Sequence, residues 1–167
     1  ERVANDIASR FGVTCIGLGI DLCGTDGIDA AVAATRAALH SIGGLVHAAG
    51  VSMAIPLEEL DVPQWDTVLN VNLRALPFVV KAIRADLAAN AGSAVVGIAS
   101  INATLGNWMN PAYTASKGGM PCARRPAMIP ASTSPDPAVA SQGAALALID
   151  ARPSGAARCS PNSAPAR

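Results

Sequence analysis

Over its first 120 residues this chain alternates apolar runs of strand length with helix-patterned segments, and that alternation restricts the fold sharply. Residues 13–20, 44–48 and 94–99 are nearly continuous apolar runs. Runs of this kind suit strands buried on both faces, as in a parallel sheet. Helical patterns over 1–11, 25–41 and 62–90, and another from 111 onward, separate them. Strands joined through helices form βαβ units, so the expected class is α/β: a doubly wound parallel sheet with helices on both faces.

Punctuation residues support these boundaries. Gly12 follows the segment 1–11 as a C-terminal helix stop, Pro56 and Pro63 flank the start of the long helix, and Pro111 suits a first helical position, where its missing N–H has no intrahelical partner. Patterning changes after Met120. Residues 121–167 hold eight of the twelve prolines, five Arg, no Lys, no Glu and no aromatic residue. Such a composition buries little apolar surface and predicts a mostly disordered tail. Pro121, Pro126 and Pro130 are expected to interrupt the helix from 111, and only Gly143–Ile149 is apolar enough for a short ordered piece.

Chemistry concentrates just before that change. Tyr113, the single tyrosine, stands four residues before Lys117, one of two lysines. On a helix this spacing places both side chains on one face. An ammonium held beside a phenol stabilises the phenolate form, which makes such a pair a candidate general acid/base. Ser100 falls at the carboxyl end of the strand 94–99, the edge where open α/β sheets place their ligands.

A strand, a Ser, a short loop and a helix bearing Tyr-x-x-x-Lys resemble the short-chain dehydrogenase/reductase family in its ordinary single-domain form. Three further segments are similar to family motifs in order and spacing: Gly44–Gly50, containing His47, Ala48, Ala49 and Gly50; Trp65–Leu73, containing Asn72; and Asp21 after the run 13–20. The resemblance implies a Rossmann-type sheet and a cofactor, NAD or NADP, which supplies the hydride while the protein supplies orientation and electrostatics. It also implies roles for residues of this chain. Tyr113 exchanges the proton at an alcohol or carbonyl oxygen, Lys117 assists it and bonds the nicotinamide ribose, Ser100 holds the substrate oxygen, and Asn72 anchors a water that leads from Lys117 to solvent. Asp21, His47, Ala48, Ala49 and Gly50 join Tyr113 and Lys117 in holding the cofactor. His47 replaces the family's usual Asn. The implied partners are a small alcohol or ketone and, for the parent protein, further copies in a homodimer or homotetramer.

The family's T-G-x-x-x-G-x-G turn, which sets backbone N–H groups and a helix N-terminus against the pyrophosphate, has no counterpart in this sequence. The expectation is therefore a partial domain over 1–120 that begins in mid-domain, lacks the first strands and does not turn over alone, followed by a tail over 121–167 from another reading frame or a damaged gene. The alternative is a non-enzymatic remnant that pairs with an intact subunit. Asn102, Leu105, Trp108 and Met109, between Ser100 and Tyr113, are expected to line one side of a partly apolar pocket.

The net charge of zero hides a split between an acidic segment 1–120 and a basic tail. Five scattered Arg without aromatic residues fall short of a nucleic-acid-binding pattern. No run reaches the length of a membrane span, and two His do not suggest a metal site. Cys15, Cys23, Cys122 and Cys159 lack C-x-x-C spacing, which points to reduced thiols and a cytoplasmic setting. The resemblance implies that the long helix also builds a subunit interface, so Trp65, Leu69, Leu73 and Phe78 read as core or interface residues, with core the default.

Overall fold

The computed structural model describes residues 1–124 and 144–148. Helix α1 spans Arg2–Phe11 and ends at Gly12, whose φ of 64° lets its N–H turn back to the Ala8 carbonyl. Glycine reaches that left-handed conformation without the clash a Cβ would make. Helix α2 spans Asp26–Leu39, with Asp26 and Asp29 in its first turn, where the helix dipole favours negative charge.

Strand β1, Ile42–His47, lies between strand β2, Ala94–Gly97, and strand β3, Ala144–Leu148, and pairs with both in parallel. Gly44 to His47 stand opposite Ala94 to Gly97 without a slip. The β3 ladder carries an irregularity between Ile42 and Gly44. The parallel sheet flanked by helices is the expected class, and β3 falls inside the apolar piece 143–149 anticipated in the tail. The prediction of disorder for the rest of 125–167, together with Pro126 and Pro130, lies outside the described residues.

Two expectations about the elements are corrected. Residues 13–20 form no strand. β2 and β3 already occupy both edges of β1, so that ladder offers them no place. Val13, Ile16 and Leu18 consequently stay exposed, while Ile20 and Leu22 beyond them enter the core. Second, the helix from 111 runs through Pro121 to Arg124. Proline's fixed φ of about −65° is itself helical, so Pro121 does not stop the helix where the sequence rule expects.

The long helix divides into three pieces. Helix α3, Val62–Leu69, opens with a capping box in which Asp61 accepts from the Gln64 N–H and the Gln64 side chain accepts from the Asp61 N–H. A π-turn follows at Asn70–Arg74, and helix α4 continues over Ala75–Ala89. Val71, Leu76, Val79, Ile83 and Leu87 bury one face of this run against Ile42 and Leu45 of β1 and Ile28 and Val32 of α2. The Arg36 guanidinium staples α2 to α4 through both carboxylate oxygens of Asp86 and the Ala82 carbonyl. Trp65 and Phe78 are 37% and 42% exposed, so neither belongs to the core as predicted. Cys15 is a free thiol, whereas Cys23 is disulfide-bonded, which corrects the expectation of reduced thiols at that position. Among the described residues no helix is long and apolar enough to cross a membrane.

Candidate active site

The carboxyl ends of β1 and β2 meet just past their ladder, where the Ile98 N–H donates to the His47 carbonyl at 3.0 Å. A short helix α5, Asn102–Leu105, and helix α6, Pro111–Arg124, follow. The site lies where α6 crosses these strand ends.

Tyr113 and Lys117 share one face of α6, and the Lys117 ammonium is 5.6 Å from the centre of the Tyr113 ring. Tyr113 is half-buried, whereas Lys117 is only 5% exposed. The ammonium donates to the Ile98 carbonyl at 2.7 Å, and burial holds its pKa below the ordinary value. A Cβ placed on Gly50 would lie 3.7 Å from this nitrogen and 3.4 Å from the Asn72 Oδ1. The absence of a side chain at Gly50 thus leaves the ammonium and the carboxamide facing the same open turn.

Asn72 lies within the π-turn and is fully buried. Its Oδ1 accepts from the Val51 N–H at 2.7 Å, and its Nδ2 donates to the Val51 carbonyl at 2.9 Å and to the Ser116 Oγ at 3.0 Å. The hydroxyl of Ser116 donates in turn to the Tyr113 carbonyl at 2.7 Å. A π-turn adds a residue to the helical spiral and is frequent at functional sites.

His47 ends β1 with no exposed surface. Neither ring nitrogen has a hydrogen-bond partner among the described residues. Burial pushes its imidazole pKa down; the nearby Asn72 main chain opposes this without closing a hydrogen bond, and the charge of Lys117 reinforces it. His47 is therefore a neutral wall of the Lys117 pocket near neutral pH.

The remaining predicted residues are placed less centrally. Ser100 follows β2 by three residues, and its hydroxyl accepts from the Asn102 N–H at 3.2 Å, a local turn bond rather than one to Tyr113. Ala49 is buried and Ala48 exposed. Asp21 is exposed in the turn before α2, where its carboxylate accepts from the Cys23 N–H at 2.8 Å. Leu105 and Trp108 are more than 70% exposed and Met109 is 37% exposed, so the segment between Ser100 and Tyr113 carries an exposed apolar surface. Ser116 and the Val51 backbone were not foreseen. The adjacency of Ser116 to Lys117 was visible, but no spacing rule distinguishes that hydroxyl from an ordinary helical serine. Among the described residues no cluster of three metal-ligating side chains occurs.

Tyr113 and Lys117 therefore stand together on α6 beside the carboxyl ends of a parallel sheet. Residues 1–123 match the family model described as short chain dehydrogenase, and the chain belongs to the short-chain dehydrogenase/reductase family. It is 34% identical over 104 residues to a D-threitol dehydrogenase of Mycolicibacterium smegmatis, covering 62% of this chain and 40% of that protein. A 2-dehydro-3-deoxy-D-gluconate 5-dehydrogenase of Escherichia coli is 32% identical over 113 residues, covering 67% of this chain and 45% of its own length. A metagenomic short-chain oxidoreductase solved in complex with NADP superposes with a TM-score of 0.69 at 28% identity, over 75% of this chain and 57% of that one. The chain thus spans about half the length of its relatives or less.

Proposed function

We propose that the protein to which this chain corresponds is an NAD(P)-dependent oxidoreductase that interconverts a small alcohol and its carbonyl compound. The observation that carries this reading is the buried Lys117 ammonium anchored to Ile98 and lying 5.6 Å from the ring of Tyr113. A bound nicotinamide cofactor, NAD or NADP, supplies or accepts the hydride. The described residues fit its nicotinamide end, since a cationic donor faces the open turn at Gly50.

Tyr113 donates its phenolic proton to a carbonyl oxygen in reduction and takes a proton from an alcohol in oxidation. Lys117 offers its remaining N–H donors toward a ribose. Ser100 bonds the substrate oxygen once its turn contact to Asn102 gives way, and Asn72 fixes the turn that closes the pocket. The backbone of Ala48, Ala49 and Gly50, the wall formed by His47 and the carboxylate of Asp21 line the cofactor's path. The exposed Leu105, Trp108 and Met109 favour a partly apolar substrate.

No glycine-rich pyrophosphate turn occurs in this sequence, so we propose that the stretch grips the cofactor weakly and does not turn over alone. Titration with NADH and NADPH, followed by nicotinamide fluorescence, tests this beside a ketone-reduction assay with Tyr113→Phe as control. Saturable binding with turnover that Tyr113→Phe lowers about 10²-fold or more would show that the stretch is sufficient. Binding of neither cofactor would leave the acid/base pair without its hydride source.

Exposed Trp65 and Phe78 favour a second reading, in which the chain pairs with an intact subunit through α3 and α4 without activity of its own. Co-purification with a full-length relative would support it. A cytoplasmic location remains part of the proposal, and the disulfide at Cys23 gives it a direct test. Cytosolic disulfides are rare, so a full count of free thiols in freshly lysed cells supports that location and a shortfall opposes it.

A further inference from the structure

We infer that Ser116 is a positioning residue for Lys117, acting through Asn72, an inference that rests on the proposed role of the Tyr113–Lys117 pair.

Ser116 has no exposed surface and uses its hydroxyl twice, accepting from the Asn72 Nδ2 at 3.0 Å and donating to the Tyr113 carbonyl at 2.7 Å. The second bond lies inside the turn of α6 that carries Tyr113 and Lys117. The first leaves the helix and reaches a carboxamide whose other polar atoms are committed to Val51. One hydroxyl therefore ties three segments together: the Tyr113–Lys117 turn, the π-turn and the strand-end turn that follows β1. Gly50, next to Val51, is where Asn72 Oδ1 and the Lys117 ammonium approach the same open space. Fixing the carboxamide fixes one side of the Lys117 pocket.

Loss of the hydroxyl leaves an Asn72 N–H donor without a partner in a fully buried place. A buried donor left unsatisfied carries its whole desolvation penalty, so the carboxamide is driven to turn or to admit water. Either response loosens Val51 and the turn at Gly50. Lys117 then meets water on that side, and the burial that suppresses its charged form is relieved. Among the described residues, the titratable groups facing Lys117 are His47 from β1 and Tyr113 from its own helix. The π-turn and the segment after β2 contribute the neutral Asn72 carboxamide and the Ile98 carbonyl.

The test needs no turnover. Lys81 and Lys117 are the only lysines, and Lys81 is exposed, so acetylation by acetic anhydride across a pH series, read by mass spectrometry, reports Lys117 against an internal reference. In Ser116→Ala the midpoint of Lys117 labelling should rise by about half a pH unit or more, toward that of Lys81. Ser116→Thr, which keeps the hydroxyl, should restore the original midpoint. Ser116→Cys keeps the shape but offers Asn72 a weaker acceptor and should fall between them, so the answer survives if Ser116→Ala does not fold. An unchanged Lys117 midpoint in folded Ser116→Ala or Ser116→Cys overturns the inference, as does an equal displacement in Ser116→Thr. Failure of the oxidoreductase reading shows separately, as absence of Tyr113-dependent ketone reduction with the labelling pattern intact.

Discussion

The Lys117 ammonium donates to the Ile98 carbonyl at 2.7 Å, so the cation of α6 is moored to the backbone just beyond β2. This tether lets a helix side chain be placed by a sheet. It also sets a conflict between function and stability, because a buried cation with a single hydrogen bond among the described residues leaves much of its lost hydration unrecovered.

Replacing Lys117 by Met keeps an apolar stem of similar length and removes that charge. The substitution should abolish Tyr113-dependent reduction in any form of the protein that turns over, yet leave the urea midpoint unchanged or higher. The two assays run on one preparation check this. A clear fall in midpoint would mean that the bond to Ile98 outweighs the cost of burial.

His47 makes stability depend on pH in a defined direction. Its folded pKa lies below the ordinary 6.5, chiefly through burial. As pH falls, the unfolded chain therefore takes up the proton first. Its contribution is complete above about 6.5 and is lost as pH drops through the window between that value and the lower folded one. Urea midpoints at neutral and mildly acidic pH should show the loss. His47→Leu should flatten the response.

The staple between α2 and α4 should be modest in energy despite its two-pronged geometry. The Arg36 side chain is 42% exposed, so solvent screens the pair. Asp86→Ala should cost about 0.5 to 1 kcal/mol, the upper part of the range for exposed ion pairs. The Asp86 carboxyl is held below its usual range, first by its hydrogen bond to Arg36. That contribution is present above the unfolded carboxylate pKa and disappears as pH falls through the folded value. Thermal unfolding in low and high salt would read it.

Gly118 and Gly119 sit side by side in α6 but should respond differently to alanine. A Cβ at Gly118 meets only the Ala103 carbonyl at 3.6 Å, an ordinary contact, while one at Gly119 meets a Leu73 methyl at 2.8 Å. Gly118→Ala should gain about 0.5 to 1 kcal/mol from helix propensity. Gly119→Ala should gain less or nothing, because Leu73 must move. Guanidinium melts of both variants decide it.

The sequence revealed the alternation of strands and helices because parallel strands buried on both faces leave continuous apolar runs such as 94–99. It also revealed the shared face of Tyr113 and Lys117, since that follows from helical period alone. The run 13–20 looked equally strand-like, but a strand is defined by its neighbour, and the two edges of β1 were taken by segments 50 and 100 residues further along the chain. Pro121 misled for a different reason: its fixed φ is itself helical, so the helix continues through it despite the lost donor. The hydroxyl of Ser116 was invisible because its importance lies in a carboxamide that arrives from another helix.

The π-turn at Asn70–Arg74 preserves a phase as well as placing Asn72. Its wider spiral advances each residue by less than the ~100° of an α-helix, so the extra residue is absorbed and α4 keeps its apolar face toward the sheet. Deleting one residue between Leu69 and Ala75 would let α3 and α4 join as an unbroken helix with Leu76, Val79 and Ile83 still facing Ile42 and Leu45, at the cost of the bulge that sets Asn72 against Val51 and Ser116. The fold would register such a deletion at the Lys117 pocket while its core stayed in place.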